Sequence, residues 1–160
     1  MESKSDALFT QAGGKLLTFM LGGQEYGIQI LEAREVIGMM EPEPVPNTPE
    51  FMLGIINLRG KIIPILSLRA KFHLPPGEVT PETCVLVADL HGRQTGCKID
   101  SLVGVVTIEP HEYEEHLDMG ANINTDFILG IAKLKERTII VLDMEEIVDH
   151  EEVHAIAPAG

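Results

Sequence analysis

The chain has 160 residues and a formal charge of −13, with 25 Asp and Glu against 12 Lys and Arg; most of such a surface repels a phosphate backbone, which disfavours nucleic-acid binding. Hydrophobic residues make up 44% but aromatic ones only 4%, with no Trp, so the core of one domain or two small ones must come from Ile, Leu, Val and Met. No apolar run nears the roughly 20 residues of a membrane span, residues 1–14 lack a charged-then-apolar leader pattern, and two Cys outside any Cys-x-x-Cys pair make no disulfide framework, so a cytoplasmic protein with no direct membrane insertion is expected.

In chain order, residues 1–14 are expected to be flexible. Residues 15–21 and 25–28 flank Gly22-Gly23 as a first hairpin. From 30 to 37 the spacing turns helical, with Ile30, Ala33 and Val36 or Ile37 on one face, predicting a short amphipathic helix that must lie against a sheet. Pro42, Pro44, Pro46 and Pro49 force residues 39–51 to run extended, as a recognition loop or as a passive connection. Residues 52–58 and 61–66 form the next hairpin across Arg59-Gly60, with Pro64 marking an edge strand or a bulge. Ser67 caps a short helix that Pro75-Pro76-Gly77 stops. Residues 83–90, 94–99, 103–109, 127–134 and 138–142 read as further strands, Asp143 caps a terminal helix, and the chain frays from His150.

One pattern is written twice. Residues 54–68 align without a gap on residues 130–144, an offset of 130 − 54 = 76, and in each copy a Gly-Ile strand leads through a cationic tip to a second strand and a cap. Upstream, residues 21–30 resemble residues 90–99, an offset of 92 − 23 = 69, so seven residues are inserted in the second half, within 110–125. Two similar small β-domains follow.

Catalytic patterns are missing from the sequence. His111 and His116 are five apart after Pro110, not the four that puts two ligands on one helix face. His150 and His154 have that spacing but lie in an acidic tail, and there is no Gly-x-Ser-x-Gly elbow or phosphate-cradling loop. Cys84 and Cys97 read as small strand hydrophobes. What remains is apolar surface: an edge strand, the Pro-rich loop, and the stripe Ile30-Ala33-Val36 with its counterpart Ile99-Leu102-Val105. These stripes either line a groove that accepts a partner helix or form buried core between the two halves.

Glu25-Tyr26-Gly27-Ile28, Pro46-Asn47-Thr48-Pro49 with Phe51, and the run from Gly54 through Asn57-Leu58-Arg59-Gly60 to Ile65 resemble the CheW-like domain family of bacterial chemotaxis coupling proteins, over about residues 15–149. The resemblance implies a mainly β fold: two intertwined five-stranded SH3-like β-barrel subdomains with short helices and a C-terminal helix. These would occupy 15–150, with subdomain 1 at about 15–81 and subdomain 2 at about 82–150, open to strand exchange and followed by a flexible tail at 151–160. It implies a non-enzymatic adaptor, without cofactor or metal, that couples methyl-accepting chemoreceptor cytoplasmic tips to the regulatory domain of the histidine kinase CheA. Such a protein is cytoplasmic and recruited to membrane-associated receptor arrays.

Carried across by position, the family's receptor groove falls on Leu17, Ile30, Ala33, Val36 and Leu102, with Glu35 nearby and Arg59 needed for coupling. Its kinase contact falls loosely on Val45, Phe51, Met52 and Ile65. Two residues depart from the family pattern: Ser67 stands where Asp is usual, and Ala33 is small for a groove contact. The competing reading is a small-ligand sensor using the groove between the two halves; a hydrolase built on His111 and His116 ranks third.

Overall fold

The computed structural model describes residues 3–115 and 127–148. Eleven strands are present among them: β1 (Lys15–Leu21), β2 (Gln24–Gln29), β3 (Ala33–Gly38), β4 (Met52–Leu58), β5 (Lys61–Ser67), β6 (Cys84–Leu90), β7 (Arg93–Ile99), β8 (Ser101–Thr107), β9 (Tyr113–Glu115), β10 (Ile128–Leu134) and β11 (Arg137–Leu142). The helices are short: α1 (Lys4–Thr10), α2 (Leu68–Lys71) and α3 (Met144–Ile147).

The hairpins follow from their turns. Gly22-Gly23, Arg59-Gly60 and His91-Gly92 all have positive φ at both positions, the two-residue turn whose twist matches that of the flanking strands. At Arg59, φ is 52°, and the Asn57 side-chain oxygen accepts the Gly60 N–H at 2.8 Å.

The strands sort into sheets of order β8-β1-β2-β11-β10-β9 and β3-β6-β7-β5-β4. Each sheet takes the opening hairpin of one half of the chain and the third strand and closing hairpin of the other. The division into 15–81 and 82–150 therefore does not separate the sheets: β3 leaves its own half to pair with β6, and β8 leaves its own to pair with β1. The fold is mainly β and of the intertwined SH3-like kind. Its sixth strand, β9, has its counterpart in a single bridge from Glu43 to Ile55.

The repeat seen in the sequence is a repeat of register. In β4–β5 the pairs Met52↔Leu66 and Gly54↔Ile65 flank a bulge, and in β10–β11 Ile128↔Leu142 and Gly130↔Val141 flank its twin. The halves join through parallel ladders at equivalent places, Ile65↔Gly96 and Val141↔Gly27. A Cβ on Gly96 would lie 2.5 Å from the Ile65 side chain and 2.7 Å from that of Val85, so a larger residue there has to push both buried side chains aside. Pro64 sits inside β5, one residue before the β5–β7 ladder begins. β5 is therefore an interior strand and not the edge that Pro64 suggested; the edges of this sheet are β3 and β4, and the Glu43 bridge, with N···O distances of 2.8 and 2.9 Å, covers part of β4.

Two sequence expectations are corrected here. Residues 30–37 form a 3₁₀ turn (Ile30–Glu32) and then β3, and residues 99–105 run into β8. A two-turn helix supplies few internal hydrogen bonds, whereas the ladder from 33 to 38 along β6 satisfies the backbone in register. The N-terminus is likewise ordered from Ser3: Ser3 and Asp6 form a reciprocal cap on α1, and Leu8 is fully buried. Leu8 joins Leu16, Ile108, Ala132, Ile139 and Val141 in a cluster of their own, Phe9 meets Tyr113 edge to face at 5.5 Å, and Ser5 shares a 2.7 Å hydrogen bond with the Tyr113 hydroxyl. The helix thus closes over an end of the six-stranded sheet. The main core, which includes Phe19, Ile28, Leu66, Leu86, Ile99 and Leu142, draws on both sheets.

Candidate functional site

The exchange leaves β3 and β8 as the outer strands of their sheets. On β8 the side chains of Leu102, Val103 and Val105 are 42%, 47% and 58% exposed, and Leu31, in the 3₁₀ turn before β3, is 63% exposed. Among the described residues, Met40 at 40% and Val79 at 59% are the other large apolar side chains this exposed. Leu17 is nearly buried at 7% and pairs across its two ladders with Ile28 and Val105. Leu17 belongs to the main core, and Ile30, Ala33 and Val36 pack against it half-buried. Four of the receptor-groove positions thus adjoin one core, and Leu102 lies exposed on β8, opposite Phe19 in the β1 ladder.

The two charged positions meet. The Arg59 guanidinium donates from Nη2 to Glu35 Oε1 at 2.6 Å and to Oε2 at 2.7 Å, joining the β4–β5 hairpin tip to β3. Arg59 remains 67% exposed in its side chain. At such exposure the ion pair contributes less than about 1 kcal/mol to stability.

The expected kinase contact is not one surface. Val45 and Phe51 are half-buried and partly accessible, but Met52 is 7% exposed and Ile65 fully buried, in different core clusters. Strand β5 is buried along four consecutive residues from Ile63 to Leu66, which removes Ile65 from any direct contact. Exposed Leu31 and Val103 were not among the sequence candidates; the signal for Val103 was its apolar character on an outer strand.

A second concavity lies where both halves meet. Tyr26, Phe51, Phe72 and Phe127 line a cleft of about 550 Å³ together with Ile128, Ile140, Ile147, Lys71, His73 and Glu146. Four of the chain's seven aromatic residues, five Phe and two Tyr, converge on it, with Phe72 and Phe127 stacked at 5.0 Å and Tyr26 tilted onto Phe72 at 5.4 Å. Lys71 sits 4.1 Å above the Phe51 ring.

Among the described residues, no three His, Cys, Asp or Glu are grouped to hold a metal ion. His111 is 75% exposed on a 3₁₀ turn; His116, His150 and His154 lie outside the described residues. Burial pushes the Cys97 thiol up to about 12, so it presents no thiolate near neutrality. No helix among the described residues is long and apolar enough to cross a membrane.

Two strand-exchanged sheets with an apolar outer edge and a presented Arg–Glu pair define a small double-barrel module. Its residues 15–152 match the CheW-like domain profile, and the chain belongs to the CheW-like domain family. It is 33% identical over 141 residues to chemotaxis protein CheW of Klebsiella aerogenes, covering 88% of this chain and 85% of that one. It is 29% identical over 149 residues to chemotaxis protein CheW of Bacillus subtilis, covering 92% and 95%. The crystal structure of the scaffolding protein TtCheW from Thermoanaerobacter tengcongensis superposes with a TM-score of 0.79 at 28% identity, covering 91% of this chain and 99% of that one. The chain is a member of a family of chemotaxis scaffold proteins.

Proposed function

We propose that this protein is a non-enzymatic adaptor that couples chemoreceptor cytoplasmic tips to the histidine kinase CheA, and that the receptor binds along the β3 and β8 edges. The observation that carries the reading is the Arg59–Glu35 pair, which ties the exposed β4–β5 hairpin tip to the outer strand β3. A receptor tip is helical, and an amphipathic helix laid in a groove needs apolar anchors with a polar group fixing its register. Ile30, Ala33, Val36 and Leu102 supply the anchors, Leu17 forms the floor, and Arg59 supplies the polar group. Weak contacts of this size hold an array through multivalency. The kinase side of the proposal rests on Val45 and Phe51 alone, since Met52 and Ile65 serve the core. Localisation to membrane-associated arrays follows from receptor binding.

The test is co-sedimentation of the full chain with a receptor cytoplasmic fragment, with and without kinase. Wild-type protein is expected to pellet with the receptor and to bring the kinase with it; a chain that stays in the supernatant while correctly folded refutes the reading.

The aromatic cleft favours a second reading, a sensor of a small apolar ligand, because its volume falls in the range of ligand sites. Strong thermal stabilisation by a small molecule, with no binding to receptor tips, would establish that reading in place of the first.

A further inference from the structure

The described residues end beside the aromatic cleft. Glu146 and Ile147 of α3 line it, and Val148, the next residue, has an extended backbone and a carbonyl 2.7 Å from a His91 ring nitrogen. Twelve residues follow, 160 − 148 = 12, and they include Asp149, Glu151 and Glu152, then Val153 and Ile156. Fully extended, such a segment reaches about 40 Å, far more than the width of a cleft of about 550 Å³.

We propose that residues 149–160 fill the aromatic cleft of their own chain, with Val153 and Ile156 as apolar anchors and the acidic residues ahead of them drawn to its Lys71 side. The floor of the cleft fits the anchors. Tyr26, Phe51, Phe72 and Phe127 are each only half-buried, and aliphatic side chains laid on their open faces remove apolar surface from water on both sides. Val153 and Ile156 are the two large apolar residues of the segment. The rim fits the charges: Lys71 and His73 stand on it, on the α2 side, while the one carboxylate of the lining, Glu146, belongs to α3. In a chain with 12 Lys and Arg against 25 Asp and Glu, a cation beside an apolar floor is where an acidic segment is attracted and not repelled.

The tether selects this occupant over others. A segment attached at the rim meets the cleft at an effective concentration of order millimolar, whereas two copies of a chain of charge −13 repel each other on approach. Ordering the stretch from Val153 to Ile156 costs conformational entropy comparable with what burying two aliphatic side chains returns. Docking is therefore reversible, and a ligand or partner that enters the cleft must first displace the chain's own segment.

The experiment is nuclear Overhauser spectroscopy on the full chain, with Val and Ile methyl groups and Phe rings labelled, in wild type and in the double variant Val153→Asp, Ile156→Asp. Expected in wild type are cross-peaks from the Val153 and Ile156 methyl groups to the Phe72 and Phe127 rings. Expected in the variant is their loss, with the ring signals of the cleft shifted and the backbone signals of the strands in place. Wild type without these cross-peaks overturns the proposal, whatever the variant does. So do cleft ring signals that stay unmoved in the variant. Mixed labelled and unlabelled chains separate the other occupants: cross-peaks between different chains place a second copy in the cleft, cross-peaks from a co-purified molecule place a ligand there, and either result overturns the proposal. Neither receptor nor kinase enters the measurement, so failure here leaves the adaptor reading untouched, and the reverse holds.

Discussion

The main-chain carbonyl of Phe51 accepts the Ser67 N–H at 2.7 Å, and that of Phe127 accepts the Asp143 N–H at 2.7 Å; the two phenylalanines, 127 − 51 = 76 residues apart, occupy one structural position in two copies of a hairpin. Each hydrogen bond ties the entry of a hairpin to the residue that caps the helix after it. Both rings then line the same cleft, so the repeat builds its second concavity from a residue and its own duplicate. Phe51→Ala is expected to destabilise the chain less than Phe127→Ala, because the Phe127 ring also stacks on Phe72 and such pairs add about 0.5–1.5 kcal/mol. Chemical denaturation of both variants measures the difference.

Arg59→Glu is expected to leave a folded protein and to abolish co-sedimentation with receptor fragments. The substitution replaces a weak surface ion pair with a carboxylate facing Glu35, a change of about 1 kcal/mol in stability, but it inverts the charge that the turn presents. Pairing it with Glu35→Arg restores the stability term; binding should stay lost if Arg59 itself meets the receptor. Unchanged co-sedimentation of the single variant would remove Arg59 from the contact.

Ile65→Ala is expected to cost about 2–5 kcal/mol by leaving a cavity in a fully buried site, with kinase affinity of the folded fraction unchanged. A variant of normal stability that loses the kinase would return Ile65 to the contact surface.

Leu8→Ala is expected to cost about 2–4 kcal/mol, although the residue lies only eight positions into the chain, because its side chain is wholly enclosed against Leu16, Ile108 and Val141. Deletion of residues 1–10 should cost at least as much. A truncated protein that melts with the wild type would show that α1 contributes nothing.

Asp100 gives the stability of the fold a pH dependence in the acid range. The Arg69 side chain, with the Gly22 N–H, holds its carboxylate below the ordinary range against the effect of burial. A depressed acid stabilises the fold fully above its unfolded value, about 3.9, and that contribution fades as pH falls through the lower folded value. Asp100→Asn should therefore lower the melting temperature at pH 6 and converge on the wild type in strong acid. A gap that persists unchanged to pH 2 would contradict this.

The sequence makes the hairpins legible because their determinants are local. Arg59-Gly60 and Gly22-Gly23 fix the turns, the turns fix register, and the Gly-Ile repeat survives as twin bulges at Gly54 and Gly130. The strand exchange leaves no such mark, since nothing in residues 33–38 specifies that their partner is β6. An apolar spacing of three fits Ile30, Ala33 and Val36 equally to a helix or to a 3₁₀ turn running into a strand. Helix α1 did carry a signal, the Ser3–Asp6 cap ahead of Leu8 and Ala12, outweighed by its place at a terminus. At the site, Arg59 and Glu35 came from the family resemblance and the structure joins them. Ile65 was misplaced because a strand buried on both faces shows no alternation to tell inside from outside, whereas Met52 opens β4, which does alternate, on its buried side.

The crossing of β3 and β8 has a consequence for how the molecule can be taken apart. A backbone cut between residues 81 and 82 gives two pieces, each keeping the opening hairpin of one sheet while its outer strand and closing hairpin belong to the other. Neither fragment is a folding unit, and mixing them should regenerate the native state only by mutual threading, at a rate set by both concentrations. The contiguous stretch 33–99 holds every strand of the five-stranded sheet, so the natural seam for dissection runs across the repeat and not between its copies.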